Sequence, residues 1–271
     1  MKIFQNFLIV LLFCPILLTT ACSEPEPTAS APKKKWIAAV DTTFIPMAFI
    51  NDRNEKDGFE VDLIHAIAEE AGHEVEIIDV EWGGLFGGLI TGKFDMLISS
   101  ITILEERKKK FAFSIPYLES GVALLARKDL GEISGLEDLE SKDGLAGAQI
   151  NTTSYFYLNQ FEKVPQKAYE KIGHALIDLI NGGIVAVLGD TTQINYFYNQ
   201  NEELRQISHI VGQRLTSESY GIVFRQDSAE LIHTVNSAIT ALVEKGRLKE
   251  LHDKWNLGEF ATVPTPQSKT K

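Results

Sequence analysis

Cysteine is almost missing from this 271-residue chain, which has only two, Cys14 and Cys22. That is too few for a disulfide framework or a cysteine-ligated metal site. The six histidines show neither HxxxH nor HExxH spacing, and no GxSxG, complete GxxxxGK[ST] or GxGxxG is present. The nucleophile elbow, the phosphate loop, the dinucleotide fingerprint and the zincin helix are thereby set aside. Long apolar runs are missing too. The longest, Phe7 to Leu18, has twelve residues, contains Pro15, and is too short for a bilayer-spanning helix. Positive charge is scarce, with Lys+Arg 26 against Asp+Glu 37 and a net charge of −11. A chain of that sign grips phosphate backbones poorly, so nucleic acid is not an expected partner.

The N-terminus carries a short positive start, Met1 and Lys2, then that apolar run, then Thr19, Thr20 and Ala21 before Cys22. This is the build of a secretory signal. Small residues ending at a cysteine also resemble the lipobox of bacterial lipoproteins, in which the mature chain starts at an acylated Cys. The position three before the cysteine is Thr19, with Leu18 one place earlier, which leaves plain signal-peptide cleavage open as well. The expectation is a signal peptide at 1–21, lipid on Cys22, and a Pro/Ser/charge-rich tether at 22–35. Removing the leader leaves 250 residues with a charge of −12. The protein is expected at the periplasmic or cell-surface side of the membrane, held there by its N-terminal lipid.

Beyond Lys35 the pattern alternates between strands and helices. Trp36 to Val40 reads as a strand ending at Asp41. From Gly58 to Gly72, Val61, Ile64, Ile67, Ala68 and Ala71 recur at helical spacing before a closing Gly. Val75 to Trp82 reads as a strand, Leu85 to Thr91 as a helix and Phe94 to Ser99 as a strand. A second series runs from Val122: a strand to Arg127, a Ser134/Glu137 capping box, a strand Leu145 to Ile150, helices Thr152–Phe161 and His174–Ile180, and a strand Ile184–Leu188 leading to Asp190. Tyr220 to Phe224 reads as a return strand, and Ser228 to Trp255 as mostly helix. Such alternation implies parallel sheets, which bind ligands at the carboxyl ends of strands. Asp41, Trp82, Ser99-Ser100, Asn151-Thr152 and Asp190 all fall at such ends.

Asp41-Thr42-Thr43-Phe44-Ile45-Pro46, Gly58-Phe59-Glu60-Val61-Asp62-Leu63 and Ser99-Ser100-Ile101-Thr102 through Glu106-Arg107 are spaced motifs in a fixed order. With Val187-Leu188-Gly189-Asp190, Ser219-Tyr220-Gly221-Ile222 and Gly246 to Trp255, they resemble family 3 solute-binding proteins, the polar amino-acid receptors of ABC importers. The resemblance covers about residues 36–257. It implies an α/β, two-lobe periplasmic-binding-protein fold (type II), with mostly parallel, helix-flanked sheets and the ligand in the interlobe cleft. Lobe 1 would be 36–120 plus 219–260, lobe 2 would be 121–218, and 261–271 a C-terminal tail. Crossover strands are expected near Leu118–Val122 and Thr216–Ser219.

A free amino acid is a zwitterion, and burying either of its charges unpaired is costly. The resemblance assigns Arg107 to the α-carboxylate, as a bidentate guanidinium fork. Thr102 and the helix N-terminus at Thr152 and Thr153 would complete that pocket. Asp190, helped by Ser100, would take the α-ammonium. On the residues alone Asp190 reads equally well as a helix N-cap before Thr191. Phe44 and Trp82 match positions whose rings sandwich the ligand side chain, and Asp41 matches an acid at its distal end. Met47 stands where the family usually has Phe, and Glu60 where it usually has Asp; Glu60 is expected to add a second acid to the pocket. A Lys common in glutamine receptors is here Gln149. These features favour a basic amino acid, with glutamine second. The implied protein is a monomeric binding protein without a cofactor that delivers its ligand to an ABC permease. Two other classes remain: an enzyme resembling cyclohexadienyl or arogenate dehydratases on the same fold, and a ligand-binding module for a signalling partner.

Overall fold

The computed structural model describes residues 35–142, 144–259 and 261–265. The signal peptide, Cys22, nearly all of the tether and the last residues of the tail lie outside them. No helix among the described residues is long and apolar enough to cross a membrane.

Two five-stranded sheets form the frame. In the first, Lys35–Val40 pairs in parallel with Glu74–Asp79 on one side and Met96–Leu97 on the other. Val223–Phe224 then runs antiparallel between Met96–Leu97 and Ala112–Phe113. In the second, Ala146–Gln149 is parallel to Gln166–Tyr169 and Ala186–Asp190. There Val122–Arg127 runs antiparallel to Ala186–Asp190 and to Ser208–Val211. Each sheet is therefore mostly parallel, with four of its five strands running one way and a single strand running against them. The reason is connectivity: Val122–Arg127 and Val223–Phe224 are entered directly from the connecting strands, not through a helical crossover. Those connections, Leu118–Ser120 and Glu218–Tyr220, form an antiparallel ribbon of their own.

Both sheets are covered on both faces, which explains the unbroken apolar run Val122-Ala123-Leu124-Leu125-Ala126. Leu124 packs with Leu136, Leu139 and Leu158, and Leu125 with Leu176, Leu179 and Leu204 on the other face. In the first sheet Val40 packs with Ile64, Ile67, Val235 and Ile239, while Ala39 joins Leu85, Leu89 and Phe94.

Several boundaries differ from the pattern reading. The strand read as Val75–Trp82 stops at Asp79, and Trp82 opens the helix Trp82–Ile90 instead. The capping box does not form: the Ser134 N–H donates to Asp138, and Glu137 merely opens a short 3-10 turn, Glu137–Ser141. The C-terminal helical region breaks into Ala229–Glu244 and Arg247–Lys254 at Gly246, whose φ is 75°. Gly58 precedes the helix Phe59–Glu70 with φ 130°, and a Cβ there would lie 2.3 Å from the Met47 carbonyl oxygen. Only glycine fits that approach. It lets the Phe59 and Glu60 N–H groups donate to the Pro46 and Met47 carbonyls and seats the helix start beside the site.

Candidate functional site

The carboxyl ends of the strands converge on one cavity. It encloses about 410 Å³ of free space, open mouth included. All nine residues expected at the site line it: Asp41, Phe44, Trp82, Ser100, Thr102, Arg107, Thr152, Thr153 and Asp190. Thr43, Ser99 and Gln149 line it too. The first sheet and its loops supply residues up to Arg107, and the second supplies the rest.

Arg107 sits on the short helix Glu105–Lys108. One guanidinium nitrogen donates to the Thr102 carbonyl at 3.0 Å, and the group lies 5.8 Å from the Trp82 ring and 5.6 Å from the Phe86 ring. Two aromatic faces and one carbonyl hold the fork while leaving donors for an anion. Thr152 caps the helix Thr153–Leu158: its hydroxyl donates to the Gln149 carbonyl at 2.7 Å and accepts from the Tyr155 N–H at 3.2 Å. Thr153, as the first helical residue, has no intrahelical acceptor for its N–H.

Asp190 lies on the opposite wall, at the end of Ala186–Asp190 and at the N-cap position of Thr191–Gln200. Its side chain makes no capping bond, so the capping role open to it in the sequence is not the one it fills. Its carboxyl is pushed up to about 7, first by burial and then by the neighbouring Glu218, against the opposing pull of the Tyr220 hydroxyl and Arg107. Burial lowers Arg107, against the favourable fields of Asp190 and Glu218. Arg107 and Asp190 make no direct ion pair among the described contacts, so each can meet a separate ligand charge.

The Asp41 carboxylate is largely committed to protein. Its Oδ1 accepts from the Thr43 N–H at 2.9 Å and the Thr43 hydroxyl at 2.7 Å, and its Oδ2 accepts from the Trp82 N–H at 2.9 Å. Three of roughly four lone-pair positions are therefore used. Gln149 gives its amide N–H to the Glu170 carbonyl at 2.9 Å, which leaves its side-chain oxygen as an acceptor at the cavity wall. Glu81, which precedes Trp82, pairs with Lys171 at 2.9 Å.

One expectation changes. Glu60 does not line the cavity; it is fully buried behind it. One of its oxygens accepts from the Ser100 N–H at 2.6 Å, the Ser100 hydroxyl at 2.9 Å and the Tyr117 hydroxyl at 2.5 Å. Met47 is likewise core, packed with Phe59 and Ile64. Glu218 was not singled out in the sequence, yet it reaches the site from the connecting ribbon. It accepts from the Thr102 hydroxyl at 2.7 Å and the Thr216 hydroxyl at 2.8 Å.

A fixed cation on one wall and a carboxylate on the other suit a small ligand that carries both charges. Residues 37–259 match the family described as "Bacterial extracellular solute-binding proteins, family 3", and the chain belongs to that family. It is 30% identical to the ABC transporter arginine-binding protein 1 of Escherichia coli, over 80% of this chain and 88% of that one. It is 28% identical to the E. coli L-cystine-binding protein TcyJ, over 81% of each. An ancestral arginine-binding protein bound to arginine superposes with a TM-score of 0.76 at 31% identity, over 82% of this chain and 97% of that one. These relatives are binding proteins, and this chain is one also.

Proposed function

We propose that this protein captures a free L-amino acid, a basic one by preference and glutamine second, and delivers it to an ABC permease. The observation that carries this reading is the charge balance of the cavity. Asp41 and Asp190 line it, Glu218 stands behind Thr102, and Arg107 is the one cation on its wall among the described residues. A zwitterion satisfies Arg107 and Asp190 and leaves the remaining negative charge uncompensated; a side-chain cation compensates it. Trp82 and Phe44 cover the stem, and Asp41 and the Gln149 oxygen offer acceptors from both walls at the distal end. The names of the relatives, arginine-binding and cystine-binding, support an amino acid as the ligand.

With Arg107 on the first lobe and Asp190 on the second, a ligand that bridges them stabilises the closed state. The lobes are taken as 36–120 with 219–260, and 121–218, hinged at the Leu118–Ser120/Glu218–Tyr220 ribbon. Lipid on Cys22 holds the protein near its permease, and it acts as a monomer. A thermal-shift panel of the twenty amino acids tests the ligand class. At one hundred times its Kd, a ligand adds roughly 2.7 kcal/mol, about 5–10 °C for a chain of this size. Arginine, lysine or histidine should give the largest shift. A largest shift from glutamate or a branched apolar amino acid, with none from the basic ones or glutamine, refutes the reading.

A further inference from the structure

Glu60 is a stability liability as it stands. It is fully buried, its Oε2 has no hydrogen-bond partner, and its Oε1 alone takes three donors. A carboxyl kept in an apolar core with one oxygen unsatisfied needs a reason other than stability. Two of its three donors belong to one residue, Ser100, which lines the cavity. Ser100 is also held at φ 47°, a left-handed conformation that serine seldom adopts.

The consequence lies in the hydroxyl rotor. A serine hydroxyl has one proton and two lone pairs. With the proton given to Glu60, the Ser100 oxygen can only accept from whatever enters the cavity. An α-ammonium has donors alone; an α-hydroxyl or a carbonyl does not demand an acceptor. Tyr117, the third donor, adjoins the connecting ribbon, where its N–H donates to the Tyr220 carbonyl. Glu60 thus ties the cavity loop to the base of the hinge. Resting on the amino-acid reading above, we propose that Glu60 is a positioning residue that locks Ser100 as an acceptor and so makes the cavity select an α-ammonium over an α-hydroxyl.

The test compares, by calorimetry on the full soluble chain, L-arginine and L-glutamine with their α-hydroxy-acid analogues. Glu60→Met fills the space without an acceptor. It should lower the melting temperature, because the Ser100 N–H, the Ser100 hydroxyl and the Tyr117 hydroxyl lose their shared acceptor, while the preference for the amino acid falls by about tenfold. Glu60→Gln keeps a carbonyl oxygen for Ser100 and should hold the preference within about twofold of wild type. Ser100→Gly suits the positive φ and removes the hydroxyl. It should show the same loss of preference, and adding Glu60→Met to it should change nothing further. If Glu60→Met does not fold, an unchanged preference in Ser100→Gly still overturns the proposal. So does unchanged preference in Glu60→Met, or an equal further loss when it is added to Ser100→Gly. Wild-type protein that binds neither amino acid overturns the amino-acid reading itself, whereas normal binding with unaltered preference in the variants overturns the role of Glu60 alone.

Discussion

Lowering the pH from 8.5 to 5.5 should weaken ligand binding steeply, and Asp190 sets the size of the effect. Its carboxyl lies at about 7 in the unliganded protein, chiefly through burial and then through Glu218. An ammonium must meet a carboxylate, so binding below pH 7 first requires the proton to leave. At pH 5.5 only about 3% of Asp190 is ionised, which costs about thirtyfold in affinity, or about 2 kcal/mol. Near pH 6 close to one proton should leave per ligand bound. The sign for stability runs with the raised value: the Asp190 contribution is complete below 3.8 and is lost as pH rises through about 7. Glu60, raised from 4.5 to about 7 mainly by burial, acts in the same direction. Ligand stabilisation of the melting temperature should therefore grow with pH over that interval. Calorimetry in two buffers of different ionisation enthalpy measures the proton count, and Asp190→Asn should flatten the pH profile while weakening binding. Affinity constant within twofold from pH 5.5 to 8.5, with heats independent of the buffer, refutes this.

Gly58→Ala should destabilise the fold by roughly 2–5 kcal/mol, because it combines an unfavourable φ with a backbone overlap; thermal unfolding reads it, and a melting temperature within 2 °C of wild type contradicts it. Lys171→Ala removes the exposed Glu81–Lys171 bridge and should weaken binding by no more than about fivefold; a hundredfold loss would make that pair part of the binding machinery. Because Trp82 lines the cavity and Trp36 and Trp255 do not, saturating L-arginine should alter the tryptophan emission, and Trp82→Phe should abolish the change; a change that persists in Trp82→Phe contradicts the assignment.

Much of this architecture was legible in the sequence, and its failures share a cause. Apolar runs that end in polar residues gave the central strands and drew Asp41, Ser100, Thr152 and Asp190 to one side of the sheets. Trp82 was misplaced on a strand because the bond that fixes its helix start comes from Asp41, forty-one residues away, and no local pattern carries it. Glu60 was read as a second acid of the pocket because its partner Ser100, forty residues on, lies beyond the reach of any local pattern. Thr191–Gln200 had no clear period because its buried face is Thr191, Thr192, Gln193 and Ile194, mostly polar. Glu218 lay at the edge of a connection read only as a crossover. Short-range periodicity finds elements; bonds between distant segments decide where they begin and which side chains face the cavity.

The central claim is that Arg107 and Asp190 hold the two charges of one amino acid. It is tested most directly by calorimetric titration of L-arginine into wild-type protein, Arg107→Ala and Asp190→Ala, with the melting temperature of each unliganded variant as a control for folding. Stranding one buried ligand charge costs a few kcal/mol, so each variant should bind at least about a hundredfold more weakly while remaining folded. Folded Arg107→Ala or Asp190→Ala protein that binds L-arginine within threefold of wild type would contradict the account.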